Sequence, residues 1–155
     1  MIAERIYVDS CACHKVRMAA RAVTRAYDEA LRPVSLRATQ LAVMVAIANE
    51  GTMSITALAK SMAMDRTTLT RNLRPLEKAG LIAIGPEGRH RIRMLEITRQ
   101  GQFRLREALP YWERVQETLR RKLGHENWVN VHNDLDQLIA LELSAIDEAI
   151  VMLEP

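Results

Sequence analysis

The sequence contains only two cysteines, no run of eighteen or more consecutive apolar residues, and no stretch rich in glycine, serine or proline. Cys11 and Cys13 are separated by one residue, and side chains two positions apart on a helix point to opposite sides, so a structural disulfide is not expected. The first ten residues lack the basic, apolar and small-residue order of a secretion signal. We therefore expect a soluble, cytoplasmic protein that does not span a membrane.

The sequence also lacks the residue patterns of common enzymes. It contains no glycine-rich phosphate loop, no Ser-His-Asp arrangement and no quartet of metal-binding residues. Cys13 and His14 are neighbours, and adjacent side chains on a helix point about 100 degrees apart, which seldom allows a hydrogen bond between a nucleophile and its base. Cys11, Cys13 and His14 would diverge around a helix in the same way and make a poor metal site. We expect no enzymatic activity, no metal and no cofactor.

The residues that are present suffice for one folded, mainly helical chain. The protein has 155 residues, of which 48% are hydrophobic, and this is within the usual range for a single domain with its own core. Outside the centre of the chain, apolar residues recur at helical spacing in four segments. These segments are 11–31, 39–48, 99–123 and 128–153.

Two shorter helical patterns follow each other in the middle of the chain. The first, in residues 55–62, has apolar residues at the spacing of one buried helix face. Asp65 can cap the next helix, and Leu69, Leu73 and Leu76 form one apolar face of it. Its other faces carry hydroxyls and arginines, which donate to base edges and phosphates in a major groove. These residues are Arg66, Thr67, Thr68, Thr70, Arg71 and Arg74. The pattern predicts a DNA recognition helix; the alternative is a face that is merely solvated.

The segment after this helix predicts a β-hairpin. Gly80 supplies the left-handed residue of a helix C-terminal cap. Residues 81–84 and 91–97 are strand-like, and residues 85–88 form the turn between them. Arginines beside the tip of such a hairpin gain from the concentrated negative potential of a minor groove. They are Arg89, Arg91 and Arg93. Together, the two helices and the hairpin predict a winged helix-turn-helix, which is a DNA-binding fold.

Charge is distributed unevenly along the chain. Residues 60–93 contain eight Lys or Arg and three Asp or Glu, a local net charge of +5, whereas residues 124–155 contain seven acids and no Lys or Arg. The whole-chain net charge of +3 averages over this contrast. The basic region is therefore the part expected to attract a polyanion such as DNA.

The segments LAKSMAMDRTTLTRNLRPLEKAGLI and LEITRQG resemble the MarR family of dimeric winged-helix transcription regulators, and the resemblance extends over roughly residues 11–153. It implies a mainly α (α+β) fold, with a winged helix-turn-helix and its two-stranded wing at residues 36–98. It also implies a helical dimerisation region formed by residues 1–35 and 99–155, and DNA contacts from the recognition helix and the wing. The matching residues are Arg66, Thr67, Thr68, Thr70, Arg71, Arg74, Arg89 and Arg91.

The last helical pattern indicates a homodimer. Residues 128–153 carry apolar side chains over more than one helix face, so this helix needs two partners, and a second subunit is the natural cover. The alternative is a stripe that folds back within the same chain. A twofold dimer would present its recognition helices about 34 Å apart to an inverted repeat in double-stranded DNA. Occupying a promoter is enough to block polymerase, so we expect a repressor.

The sequence gives less information about the signal that controls DNA binding. The family resemblance implies a small aromatic or phenolic acid bound between the dimerisation helices and the winged region. An arginine would meet the carboxylate of such an acid, and aromatic side chains would stack on its ring. The candidate wall residues are Arg17, Arg21, Tyr27, Met44, Tyr111 and Trp112.

Two alternatives stay open. The first is a thiol redox sensor, because Cys11 and Cys13 have cationic neighbours such as Lys15, and these favour a reactive thiolate. The branch of the family that senses organic hydroperoxides carries a reactive cysteine early in its first helix, and Cys13 stands in a similar position before Tyr27. The second alternative is a winged helix that binds an acidic protein and has no affinity for DNA.

Overall fold

The computed structural model describes residues 10–86 and 93–141. The chain divides into two units, the first ending at Val115 and the second beginning at Gln116. The first unit contains α1 (Ala12–Leu31), a 3₁₀ turn (Arg32–Val34), α2 (Ala38–Glu50), β1 (Met53–Ser54), α3 (Ile55–Ser61), α4 (Arg66–Lys78), β2 (Ile82–Ile84) and β3 (Met94–Ile97). Helix α5 (Arg99–Leu123) begins in the first unit, and α6 (His125–Ala140) belongs to the second.

These elements confirm the mainly helical winged fold predicted from the sequence. The two hairpin strands are present as β2 and β3, and the structure adds β1, a strand of two residues that the sequence did not indicate. The expected turn at residues 85–88 is described as far as Pro86. The last helix, expected to extend to residue 153, is described to Ala140, and residues 142–155 lie outside the described part of the chain.

The three strands form one antiparallel sheet in the order β1-β3-β2. In the central strand, Leu95 pairs with Met53 on one side and with Ile84 on the other. Leu95 is fully buried, and its side chain belongs to the hydrophobic core that also contains residues of α2, α3 and α4. One core therefore holds the wing strands against the helix-turn-helix.

A side chain of α1 fixes the start of α2. Asp28 accepts a hydrogen bond through Oδ1 from the backbone N–H of Ala38 (2.7 Å), and its Oδ2 lies 3.3 Å from the guanidinium of Arg37. The carboxylate satisfies an N–H group that has no partner within its own helix. Among the described helices, none is by itself long and apolar enough to cross a membrane; the bent pair Ala12–Val34 and Ala38–Glu50 meets that test by length and composition alone.

A close junction joins the end of α4 to the start of α5. The Thr98 hydroxyl donates to the carbonyl oxygen of Gly80 (2.6 Å) and accepts from the backbone N–H of Gly101 (3.0 Å). The Thr98 N–H donates to the carbonyl oxygen of Leu81 (3.1 Å). Gly101 is buried, and a Cβ at this position would overlap the Leu81 carbonyl oxygen. The two backbones approach so closely that only glycine fits between them.

Gly101→Ala is expected to lower the free energy of unfolding by about 3 kcal/mol, because the added methyl group forces Leu81 to move. The matched control is Gly85→Ala, in which the nearest atom to the added Cβ is an ordinary 3.5 Å away. Urea unfolding of both variants measures the difference. Equal free energies of unfolding for the two variants would contradict the close approach at Gly101.

Candidate nucleic-acid interface

Helices α3 and α4 form a helix-turn-helix with a tight connection. Ala63 adopts a left-handed backbone conformation (φ 49°), and the N–H of Met64 donates back to the carbonyl oxygen of Ala59 (2.9 Å). Asp65 follows directly and caps α4, because its Oδ1 accepts from the backbone N–H of Thr68 (2.8 Å). The cap predicted at Asp65 is confirmed, and it sets where the recognition helix begins.

Thr68 also binds the second oxygen of the Asp65 carboxylate. The Thr68 hydroxyl donates to Oδ2 at 2.6 Å. This hydrogen bond, followed by those from backbone N–H groups, favours the ionised carboxylate and lowers the pKa of Asp65 below its usual value. The single hydrogen of the Thr68 hydroxyl is therefore used within the cap.

Three leucines anchor α4 to the core. Leu69 and Leu73 are fully buried and Leu76 is 1% exposed. Burying a leucine side chain contributes about 1.5–3 kcal/mol relative to leaving it in water. Because the three residues follow the helical period, their burial fixes the rotation of α4 about its axis. The opposite face of the helix must then point away from the core.

That opposite face brings five of the predicted DNA-binding residues together. They line one shallow groove: Arg66, Thr67, Thr70, Arg71 and Arg74. Four of them are exposed and Thr70 is half-buried. The groove combines three permanent positive charges with two threonines, which suits phosphate oxygens and base edges. Thr68, the sixth predicted residue of this helix, does not line the groove, and its hydroxyl donates to the cap residue Asp65.

The C-terminal end of α4 is also fixed. The helix continues through Pro75 to Lys78. Gly80 has a positive φ of 68°, and the N–H of Leu81 donates to the carbonyl oxygen of Leu76 (2.9 Å). These features confirm the predicted glycine cap.

Other basic residues of the predicted interface lie on α3 and near the wing. Lys60 in the last turn of α3 is exposed, and so is Arg93 just before β3. The carbonyl oxygen of Arg93 accepts from the N–H of Ile55 (3.3 Å), which joins the wing to the start of α3. Arg89 and Arg91 lie outside the described residues, and their role stays a prediction.

A second candidate site is an apolar cavity of about 540 Å³ in the first unit. The residues that line it come from α1, α2 and α5: Tyr27, Ala38, Leu41, Ala42, Val45, Leu105, Arg106, Leu109 and Trp112. Among these lining residues, Arg106 alone carries a charge. Burial raises the pKa of Tyr27, which keeps its hydroxyl protonated and able to donate. These walls suit an apolar molecule with one anionic group.

The cavity includes two of the six residues predicted for an effector pocket, Tyr27 and Trp112. Met44 is instead fully buried in the core, and Tyr111 packs against that core. The two predicted arginines of α1 are exposed and do not line the cavity. They are Arg17 and Arg21.

Arg106, an exposed residue of α5, is the basic residue among those that line this cavity, and it was not among the residues predicted for the effector pocket. Its position on α5 contains a signal that was available from the sequence. Arg106 stands next to Leu105 and three residues before Leu109, so it borders the apolar stripe of that helix. A long basic side chain at such a border covers apolar surface with its methylene groups and keeps its charged group in water at the cavity edge.

The two cysteines lie at the start of α1. Cys11 immediately precedes the helix and is half-buried, while Cys13 is exposed in its first turn, and both are free thiols. In residues 10–86 and 93–141, no group of three His, Cys, Asp or Glu side chains is placed to hold a metal ion. The redox role of the cysteines stays a prediction.

A helix-turn-helix with an arginine-lined groove on its second helix, followed by antiparallel wing strands, defines a DNA-binding transcriptional regulator of the winged-helix class. The sequence model of the MarR family matches residues 36–83, from the start of α2 into β2. A comparison with curated protein sequences found no match.

Solved structures of transcriptional regulators are similar to this chain. The transcriptional regulator MosR of M. tuberculosis in complex with DNA is 35% identical, with 83% of this chain and 93% of that chain covered and a TM-score of 0.75. Another MosR structure is 33% identical, with 92% and 98% covered and a TM-score of 0.73. A mutant of E. coli MarR complexed with operator DNA shares the fold, with 18% identity, 86% and 96% covered and a TM-score of 0.76. The chain belongs to the MarR family of transcriptional regulators.

The cap at Asp65 predicts a pH-dependent stability. Because the pKa of Asp65 is lowered in the folded protein, its stabilisation is fully present above the unfolded pKa of about 3.9 and is lost as pH falls through the folded pKa. Asp65→Asn keeps an acceptor but does not titrate. At pH values below about 4, the melting temperature of the wild type should therefore fall relative to that of Asp65→Asn. Parallel curves of melting temperature against pH for the two proteins, from pH 6 to pH 2.5, would exclude this linkage. In Thr68→Val, the pH dependence of the melting temperature should lie between those of the wild type and Asp65→Asn.

Proposed function

We propose that this protein binds an inverted-repeat DNA operator as a homodimer, represses transcription by occupying the promoter, and is released by a small aromatic acid. The groove on α4 carries the DNA-binding part of the proposal. Its lining contains three arginines and two threonines and no acidic residue. A surface of this kind attracts phosphates and has donors that can reach base edges.

The residues of the groove divide into two roles. Arg71 and the two groove threonines, Thr67 and Thr70, occupy the first half of α4, which is the part of a recognition helix that enters the major groove. Arg71 suits the O6 and N7 acceptors of guanine. Arg74, one turn later, and Lys60 on α3 suit phosphates, as does Arg66 at the helix start. The wing arginines Arg89 and Arg91 would add contacts to the backbone or the minor groove.

The exposed apolar surface of α6 supports the homodimer. Helix α6 has no buried residue, although it carries five large hydrophobic side chains that are at least 40% exposed. They are Val129, Val131, Leu135, Leu138 and Ile139. Helix α1 likewise exposes Val16, Met18 and Val23. Apolar surface of this extent requires cover, and a second copy of the chain supplies matching helices.

A dimer also accounts for operator recognition. One short recognition helix makes too few contacts to select a site among the many competitors in a genome. Two helices related by a twofold axis read two half-sites about 34 Å apart, and these form an inverted repeat. Binding across a promoter then blocks polymerase without any further contact.

Arg71→Ala is expected to weaken binding to the operator by about 1 to 3 kcal/mol and to relax specificity at one position of each half-site. Lys60→Ala should weaken operator and random DNA alike and reduce the slope of log K against log salt. Fluorescence anisotropy with both duplexes at several salt concentrations measures these effects. Equal losses on both duplexes for Arg71→Ala would contradict the division of roles.

Sedimentation of the complex tests the dimer and should give two chains for each duplex. The same salt titrations test the alternative of a protein-binding winged helix. Affinity should fall linearly in log salt, with a slope of about 0.9 for each phosphate neutralised. A monomer that ignores duplex DNA at low salt would refute the proposed function.

The cavity beside α5 supports release by an aromatic acid. Its apolar walls, together with Trp112, suit a ring, while Arg106 and the Tyr27 hydroxyl can bind a carboxylate. The cavity-lining residues of α5 begin at Leu105, one turn after Gly101 at the junction with α4. Ligand binding there is therefore well placed to alter the position of the recognition helix.

Arg106→Ala is expected to weaken binding of 1-naphthoate about tenfold, the effect of losing one charge-assisted hydrogen bond, and to leave binding of the neutral amide unchanged. Arg99→Ala is the matched control, because Arg99 lies on the same helix but does not line the cavity. Isothermal titration measures both ligands. Equal losses for acid and amide would exclude the proposed carboxylate contact.

Release of DNA by naphthoate should persist in the Cys11→Ser, Cys13→Ser double variant, which separates cavity control from thiol control.

A further inference from the structure

Two threonine hydroxyls of the recognition helix are already used inside the protein. The Thr68 hydroxyl donates to the Asp65 carboxylate at 2.6 Å, and the Thr70 hydroxyl donates to the carbonyl oxygen of Arg66 at 2.7 Å. A hydroxyl has one hydrogen, so neither of these groups has a donor left for a base edge. Thr70 differs from Thr68 because Thr70 lines the groove.

The hydrogen bond of Thr70 determines which part of its side chain faces the groove. The carbonyl oxygen of Arg66 belongs to the preceding helical turn, and Oγ1 must turn towards that backbone in order to donate to it. Oγ1 and Cγ2 occupy different staggered positions on Cβ, so the methyl group cannot lie in the same place. Thr70 can therefore offer a ligand in the groove its methyl group or a lone pair of Oγ1, but no donor.

We propose that Thr70 recognises the C5-methyl group of a thymine by apolar contact and is a specificity-determining residue of the α4 groove. Thymine is the base that presents a methyl group in the major groove, and a threonine methyl is among the groups that contact it. This inference rests on the proposed operator binding. It assigns a thymine to each half-site of the operator.

Three substitutions at Thr70 separate the methyl group from the hydroxyl. Thr70→Val keeps the methyl and removes the hydroxyl, Thr70→Ser does the reverse, and Thr70→Ala removes both. The probe is the duplex that the purified wild-type protein selects from a random library. Thr70→Val should bind it within twofold of wild type, whereas Thr70→Ser and Thr70→Ala should each lose about fourfold per half-site, the effect of one buried methyl group.

Thr68→Ser is the matched control. It removes a methyl group two residues earlier in the same helix, and it keeps the hydroxyl that donates to Asp65. Because Thr68 does not line the groove, Thr68→Ser should retain wild-type affinity. A loss confined to Thr70→Ser assigns the effect to the groove and not to the general cost of serine in a helix.

The DNA can be altered in the complementary way. Replacing each thymine of the half-site in turn by deoxyuridine removes only its C5-methyl group. At one position this replacement should cost the wild type about fourfold and should cost Thr70→Ser nothing further, because the contact is already lost. Such non-additivity identifies the thymine that Thr70 contacts.

Two results would overturn the inference while leaving operator binding intact. One is a Thr70→Val protein that binds as weakly as Thr70→Ala while Thr70→Ser keeps full affinity, which would mean that the hydroxyl accepts from a base amino group. The other is a selected duplex in which no deoxyuridine replacement lowers wild-type affinity. If the wild type selects no duplex at all, the proposed function fails, and the inference fails with it.

Discussion

The burial of Leu69, Leu73 and Leu76 is the constraint on which the arginine-lined groove of α4 depends. A helix that buries one side has a fixed rotation, so the same three leucines determine which side chains face outward. The arginines of α4 stand on the side opposite these leucines. Their common direction follows from the core on the other side of the helix.

The capping interactions at its two ends define the length of α4. At the start, Asp65 places a carboxylate close to a surface that would bind phosphates. Both oxygens of this carboxylate bind Thr68, so its charge is directed at the helix N-terminus, where it is favourable. At the other end, Gly80 closes the helix, and Thr98 binds the Gly80 carbonyl oxygen. The residues that cap α4 therefore also set the extent of the groove that is proposed to bind DNA.

Local signals made the recognition helix, its caps and the two wing strands predictable from the sequence. Asp65, Gly80 and the leucine period each act within a few residues and depend little on the rest of the chain. Strand β1 was missed because two residues cannot show a period. Arg106 was missed because the choice among many arginines depends on how α5 is rotated against α1 and α2. The internal hydrogen bond of Thr70 depends on a rotamer, which composition and spacing do not determine.

The Thr98 junction has a thermodynamic consequence. Leu105, Arg106 and Leu109 stand on α5 within about three turns of Thr98. Because the Thr98 hydroxyl donates to the Gly80 carbonyl oxygen at the end of α4, hydrogen bonds link the helix of the cavity wall to the recognition helix. If an acid in this cavity reduces affinity for DNA by some factor, then DNA reduces affinity for the acid by the same factor. A regulator held on its operator would then sense a higher threshold concentration of the acid than the same regulator free in solution.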